Sequence, residues 1–240
     1  MKKIRAGEVI KEIRDKRFKE INNRLDKITS DTVIKNLYKS GYYPEGHFLP
    51  KDFFTTSSLA TKSNFKRLQK LESSIKGFGE PTTLYFPKDR FTLKAISIPP
   101  LGNFINLSNF ISAKWKDIKK HFKLNNSDLI IPYSFPLFYD KYTRSAIGIF
   151  NHMTYSELDI PRVASHYEYC VCLDIKNFYS SIYVHSLAWA IESKTIRDNK
   201  CTCKGGKPCC EEHKSDFWPN KFDELVRNLN GKRTKGIFIG

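Results

Sequence analysis

The sequence predicts a mixed α/β (α+β) chain in which a helical N-terminal region is followed by short antiparallel strands. Three observations point there. Between residues 6 and 29, Ile10, Ile13, Ile21, Leu25 and Ile28 recur near helical spacing among lysines and arginines. Thr82 to Pro100 holds two β-rich pieces on either side of a charged turn. Further on, an apolar run of Cys170, Val171, Cys172 and Leu173 delivers Asp174 to its end, as a buried strand would. The chain divides accordingly into a helical region (1–80), a hairpin-containing region (81–165) and a region (166–240) that begins at that strand.

In the first region, Ser30 or Asp31 is placed to cap a second helix that ends before Gly41. Leu68, Leu71 and Ile75 mark a third, closed by Gly77 and Gly79. The hairpin follows, with strands at Leu84 to Phe86 and Leu93 to Ile98 and a turn around Asp89. After Pro99 and Pro100, the residues Phe104, Leu107, Ile111, Trp115, Ile118 and Phe122 predict one helix, with Trp115 in the core and Lys114, Lys116, Lys119 and Lys120 to the side. Residues 123 to 165 have no clean period, and Pro132, Pro136 and Pro161 break them into loops and short elements. From Asn177 to Ile191 a helix is expected, with Tyr183, Leu187 and Ala190 on its apolar face and His185 and Trp189 as positioning or packing groups.

A chain of 240 residues can bury a real core. Its 41 Lys and Arg against 25 Asp and Glu give a net charge of +16. Such an excess repels itself unless it faces a polyanion, and nucleic acid fits because each neutralised phosphate releases counterions. Aromatic residues, at 14%, supply bodies on which bases stack. The basic residues are spread from Lys2 to Lys235, as on a folded surface and unlike a disordered arm. No run of about 18 apolar residues occurs, and the basic N-terminus leads into an amphipathic pattern in place of a signal peptide's apolar stretch, so a cytoplasmic protein without a membrane partner is expected.

All six cysteines crowd into two places, Cys170 with Cys172, and Cys201, Cys203, Cys209 and Cys210. That suits reduced thiols or a metal better than a disulfide framework. CTCKGGKPCCEEH sets the last four and His213 within thirteen residues. Thiolates favour zinc in a tetrahedral N/S site, and the KGGKP linker can turn tightly enough to bring the pairs together. The pairs are C-x-C and CC, where the usual spacing is C-x₂-C, so a structural Zn²⁺ clip and a reduced, unliganded loop both stay open.

The stretch YCVCLDIKNFYSSIYVHSLAW, from Tyr169 to Trp189, carries the clearest functional signal. Asp174 alone is explained by capping of the helix after it. Capping does not require Phe178 and Tyr179 four and five residues on, nor Ser181, Ile182, His185, Ser186 and Trp189. The joint pattern resembles motif A of reverse transcriptases, and SIYVHSLAWAI resembles the SIYTHSxxWA signature of the bacterial abortive-infection and related defence enzymes. The PK step and the basic residue before I-S-I-P in the hairpin are similar to the fingers of the same superfamily. TKGIFIG, from Thr234 to Gly240, looks like the opening of motif B, TxGIPxGP, with Phe238 in place of the usual Pro and Ile239 where many reverse transcriptases have Gln.

The resemblance implies a right-hand polymerase: a helical N-terminal region (1–80), a fingers-like region (81–165), and the start of an antiparallel palm sheet with a Cys-rich insertion (166–240). It implies an RNA-directed DNA polymerase serving antiphage defence, using dNTPs, a template and primer or product of RNA or DNA, and two Mg²⁺ ions. Asp174 is then the catalytic carboxylate and, with the carbonyl of Ile175, a metal ligand. Tyr179 is the gate that excludes a 2′-hydroxyl, with Phe178 beside it. Lys88, Lys94 and Arg90 meet the triphosphate, although the family more often has Arg where Lys94 stands. Gly236 and Gly240 allow close backbone approach. His185 is not taken as a base, since the two-metal mechanism needs none there. No aromatic-x-Asp-Asp element occurs in the chain, so it is expected to be an N-terminal fragment that is inactive alone. A homo-oligomer stays open. The alternative is a non-catalytic, basic, zinc-stabilised nucleic-acid-binding module.

Overall fold

The computed structural model describes residues 6–42, 66–67, 70, 77–87, 89–124, 130–138, 145–150, 155–175, 178–192 and 218–237. Among them are eight α-helices and two small antiparallel two-stranded sheets, an α+β and mostly helical fold. Lys88, Gly240, His213 and the cysteines Cys201, Cys203, Cys209 and Cys210 lie outside the described residues, as does most of the expected third helix, of which only Lys66, Arg67 and Lys70 are described, all helical.

Helix α1 (Ala6–Lys27) buries Val9, Ile13, Phe18, Ile21 and Leu25 along one stripe. Helix α2 (Ser30–Ser40) is capped by Thr29, one residue before Ser30 and two before Asp31, the caps expected. Thr29 is extended, and its hydroxyl accepts the Thr32 N–H at 3.2 Å, while Asp31 sits in the first turn, where the helix dipole favours a carboxylate. Gly41 closes it by donating to the Leu37 carbonyl.

Strands β1 (Thr82–Pro87) and β2 (Leu93–Ile98) form the expected hairpin, with Thr82 opposite Ile98 and Phe86 opposite Lys94. Its turn is held by Asp89, whose carboxylate accepts the N–H groups of Phe91 and Thr92 at 2.9 Å. The single helix expected after it is two, α3 (Leu101–Ala113) and α4 (Trp115–Phe122), divided at Lys114. The break re-aims α4 so that Trp115 enters the core and its indole N–H reaches the Ile28 carbonyl at 3.0 Å.

The main core joins Ile21, Leu25, Ile28, Val33 and Leu37 of the first two helices to Trp115 and to Phe135, Leu137 and Phe150, which flank or belong to a second hairpin, β3 (Pro136–Phe138) and β4 (Ile147–Ile149). Arg17 crosses this junction. It is 5% exposed, and it donates to the carbonyls of Pro132, Tyr133 and Phe150.

A π-helical turn (Tyr155–Asp159) runs into α5 (Ile160–Ala164). Residues 169–175, expected as a palm strand, have no regular secondary structure: Tyr169, Val171, Leu173 and Ile175 are exposed, Leu173 by 92%. A strand exists by pairing, and among the described residues none pairs with this one. The helix expected from Asn177 to Ile191 is α6 (Phe178–Ser181) and α7 (His185–Glu192), separated at Ile182 to Val184. Consequently Val184 and Ala188 face inward, whereas Tyr183 is exposed. Helix α8 (Trp218–Leu229) packs on α7 and α3, with Phe222 stacked on Phe110.

Candidate functional site

The break between α6 and α7 is where the two C-terminal segments singled out in the sequence meet. Tyr183 bridges Lys235 in antiparallel fashion, with Val184 N–H on the Thr234 carbonyl at 2.9 Å and Gly236 N–H on the Ile182 carbonyl at 2.7 Å. Ile237 N–H reaches back to the Tyr179 carbonyl at 2.9 Å. Gly236 has φ +88°, and a Cβ there would stand 3.1 Å from the Ser180 carbonyl oxygen. Only glycine takes that backbone without strain. The structure thus brings Tyr179 and Gly236 together.

Phe178 and Tyr179 are about half-exposed, their rings 5.2 Å apart and edge to face. Asp174 and Ile175, in the exposed stretch before them, are not part of the pairing. The Asp174 carboxylate accepts the Ile175 N–H at 2.9 Å, a contact with its own neighbour.

Arg90 and Lys94 are exposed on the first hairpin, Arg90 in its turn over the Phe91 ring. The foot of that hairpin is tied to the C-terminal end of α8. Gly79 N–H donates to the Asn228 carbonyl, Arg233 pairs with Glu80 at 3.5 Å, and Lys232 lies over the Phe78 ring at 4.5 Å. The hairpin and the Thr234–Ile237 segment therefore share one anchor.

A polar seam not anticipated from the sequence underlies the pairing. Asp223, 5% exposed at its side chain, sets Oδ2 2.7 Å from His185 Nδ1. One helical turn on, Arg227 sets Nε 3.3 Å from the same oxygen, in a geometry short of a hydrogen bond. Asn230, also buried, donates from Nδ2 to the Gly236 carbonyl at 2.6 Å. Asp223 Oδ1 and Asn230 Oδ1 are buried without a hydrogen-bond partner among the described residues. Phe222, Leu225, Val226 and Leu229 recur at three- and four-residue spacing, so the helix was detectable, but nothing local marks Asp223 as the polar group facing inward.

Among the described residues no group of three His, Cys, Asp or Glu side chains is arranged to hold a metal ion. Asp174 with the Ile175 carbonyl falls short of the donors that two divalent ions require. Cys170 and Cys172 are free and exposed. No described helix is long and apolar enough to cross a membrane. The chain matches no protein-family model and no curated protein at a significant level.

Proposed function

We propose that this chain is part of a reverse-transcriptase-like polymerase of the abortive-infection, phage-defence type, an RNA-directed DNA polymerase acting by nucleotidyl transfer. The observation that carries the reading is the direct pairing of the Phe178–Val184 stretch with Thr234–Ile237. The resemblance assigns those segments to the two sides of one nucleotide pocket. Further support comes from the half-exposed Tyr179 beside Gly236, from the basic hairpin sharing an anchor with that pocket, and from the net charge of +16.

The work these residues would do is binding. Tyr179 lies under the sugar and excludes a 2′-hydroxyl, Gly236 lets the backbone approach the nucleotide, and Arg90 and Lys94 draw the triphosphate. Two Mg²⁺ ions would supply charge neutralisation in the complete enzyme, but Asp174 does not hold both, so no metal-dependent step is assigned to the described residues.

The test is nucleotide addition by the protein encoded by the whole reading frame. Asp174→Asn should abolish primer extension and untemplated addition and leave oligonucleotide binding intact. Full activity of that variant overturns the assignment. The short donor set favours a second reading, a non-catalytic basic binding module with a structural zinc clip at the cysteines. It predicts steeply salt-dependent oligonucleotide binding and no nucleotide addition from any length of the reading frame.

A further inference from the structure

Next to the paired segments is a patch of exposed aromatic side chains. Trp189 is 58% and Tyr183 43% exposed, with ring centroids 5.5 Å apart, and the His185 ring is 5.0 Å from Tyr183. Large aromatic rings gain free energy by leaving water, so two of them side by side at the surface call for a partner. They are also held firmly. Val184 and Ala188 beneath them are buried, at 0% and 4% exposure, and His185 is fixed by Asp223.

The charge around the patch selects the partner. Tyr183 and Lys235 face each other in a pair whose flanking bonds run from Val184 to Thr234 and from Gly236 to Ile182. That makes it a non-hydrogen-bonded antiparallel pair, in which the two side chains share a face and come closest. Lys235, itself exposed, is therefore on the same face of the bridge as Tyr183. From Leu225 to Ile237 the chain carries Arg227, Lys232, Arg233 and Lys235 and no acidic residue; Arg227 lies against Asp223 and Arg233 pairs with Glu80, so the charge at the bridge itself is the exposed Lys235. A ligand that matches both features has flat apolar faces and a regular run of negative charge. Single-stranded nucleic acid has both, whereas a duplex hides the faces of its bases in its own stack.

We propose that Tyr183 and Trp189, with Lys235, form a stacking platform for a base of single-stranded nucleic acid next to the nucleotide pocket. The proposal rests on the polymerase reading, and it specifies where the unpaired strand lies.

The experiment is fluorescence anisotropy of a labelled oligothymidylate, and of an abasic oligonucleotide of the same length, with the 240-residue chain. Trp189→Ala should weaken oligothymidylate binding by about tenfold, the scale of one lost base stack. Trp189→Phe should restore most of it, because a phenyl ring also stacks. Binding of the abasic probe should be the same in all three proteins, as should the salt dependence. Tyr183→Ala should behave like Trp189→Ala. An unchanged affinity of Trp189→Ala for oligothymidylate overturns the platform alone and leaves the patch to a protein partner. An equal loss on both probes also overturns it, since the tryptophan would then act through the fold. Failure of the unsubstituted chain to bind either probe overturns the nucleic-acid reading as a whole.

Discussion

Arg17 is a buried cation at the junction of α1 with the second hairpin, and replacing it gives a sharp test of how the N-terminal helix is joined to the rest. Its Nε donates to Pro132 O at 3.1 Å, and Nη2 donates to Tyr133 O at 3.1 Å and to Phe150 O at 2.7 Å. Only the bond to Phe150 is wholly buried. Deleting a charged donor to a buried carbonyl costs about 2 kcal/mol, and the two part-buried carbonyls, which water can reach, add about 0.5 kcal/mol each. Desolvation works the other way, and burial pulls the guanidinium below its ordinary pKa, partly offset by Glu20 and Asp159. The lost packing over the Phe150 ring, 5.6 Å from the guanidinium carbon, roughly cancels that relief. Arg17→Ala should therefore lose about 3 kcal/mol, which for a chain of this size lowers the melting temperature by roughly 6–12 °C. Arg17→Lys should fall between, because a single ammonium cannot serve three carbonyls in a fork. Urea unfolding followed by circular dichroism measures both. A loss below about 1 kcal/mol for Arg17→Ala would mean that water meets those carbonyls as well as the guanidinium does, and the joint described here would be wrong.

Three further outcomes follow from particular residues. Burial, reinforced by Asp159, pushes the Tyr133 phenol up to about 12. The unfolded chain gives up that proton near pH 10 while the folded one keeps it, so this stability is full below pH 10 and is lost as pH rises toward 12; unfolding midpoints across that window should fall less in Tyr133→Phe. Gly236→Ala puts a Cβ at positive φ against the Ser180 carbonyl and should cost about 1–2 kcal/mol, with faster hydrogen exchange at the Gly236 and Ile237 amides; unchanged exchange there would refute the close approach. If the proposed polymerase reading holds, Tyr179→Ala should raise ribonucleotide incorporation relative to deoxyribonucleotide, and an unchanged ratio removes the gate.

The parts of the fold legible in the sequence are those whose signals are local. The stripe of α1, the Asp89 turn and the two strands around it are each written in one continuous local stretch, and each formed as expected. Arg17 was legible in principle, because it stands four residues from both Ile13 and Ile21 and so on the buried face. The segment before Asp174 failed for the opposite reason. Its apolar run has a strand's composition, but a strand is made by a neighbour supplied elsewhere, and none of the described residues supplies it. The long helix after Pro100 divided because continuous periodicity does not register a change of direction at Lys114. The same limit hid the break at Ile182 to Val184, which leaves Tyr183 exposed where a continuous helix put it on the apolar face.

That break also shows where the site's geometry comes from. Neither the Tyr179 stretch nor the Gly236 turn contains the groups that hold them together beyond a few backbone bonds; those groups are on α8 and the turn that ends it. Asp223 fixes His185 at the start of α7, and Asn230 holds the Gly236 carbonyl seven residues later on the same side of the helix and its terminal turn. Glu80 meets the next turn through Arg233, so the foot of the basic hairpin is set by the same element. The residues expected to touch nucleotide are therefore positioned by one helix that touches none. A buried carboxylate shared by a histidine and an arginine is costly to desolvate and gives little net stability. What it does supply is a fixed register between α7 and α8, and a shift of one residue in the Tyr183–Lys235 bridge would turn Lys235 to the opposite face and pull Gly236 away from Ser180.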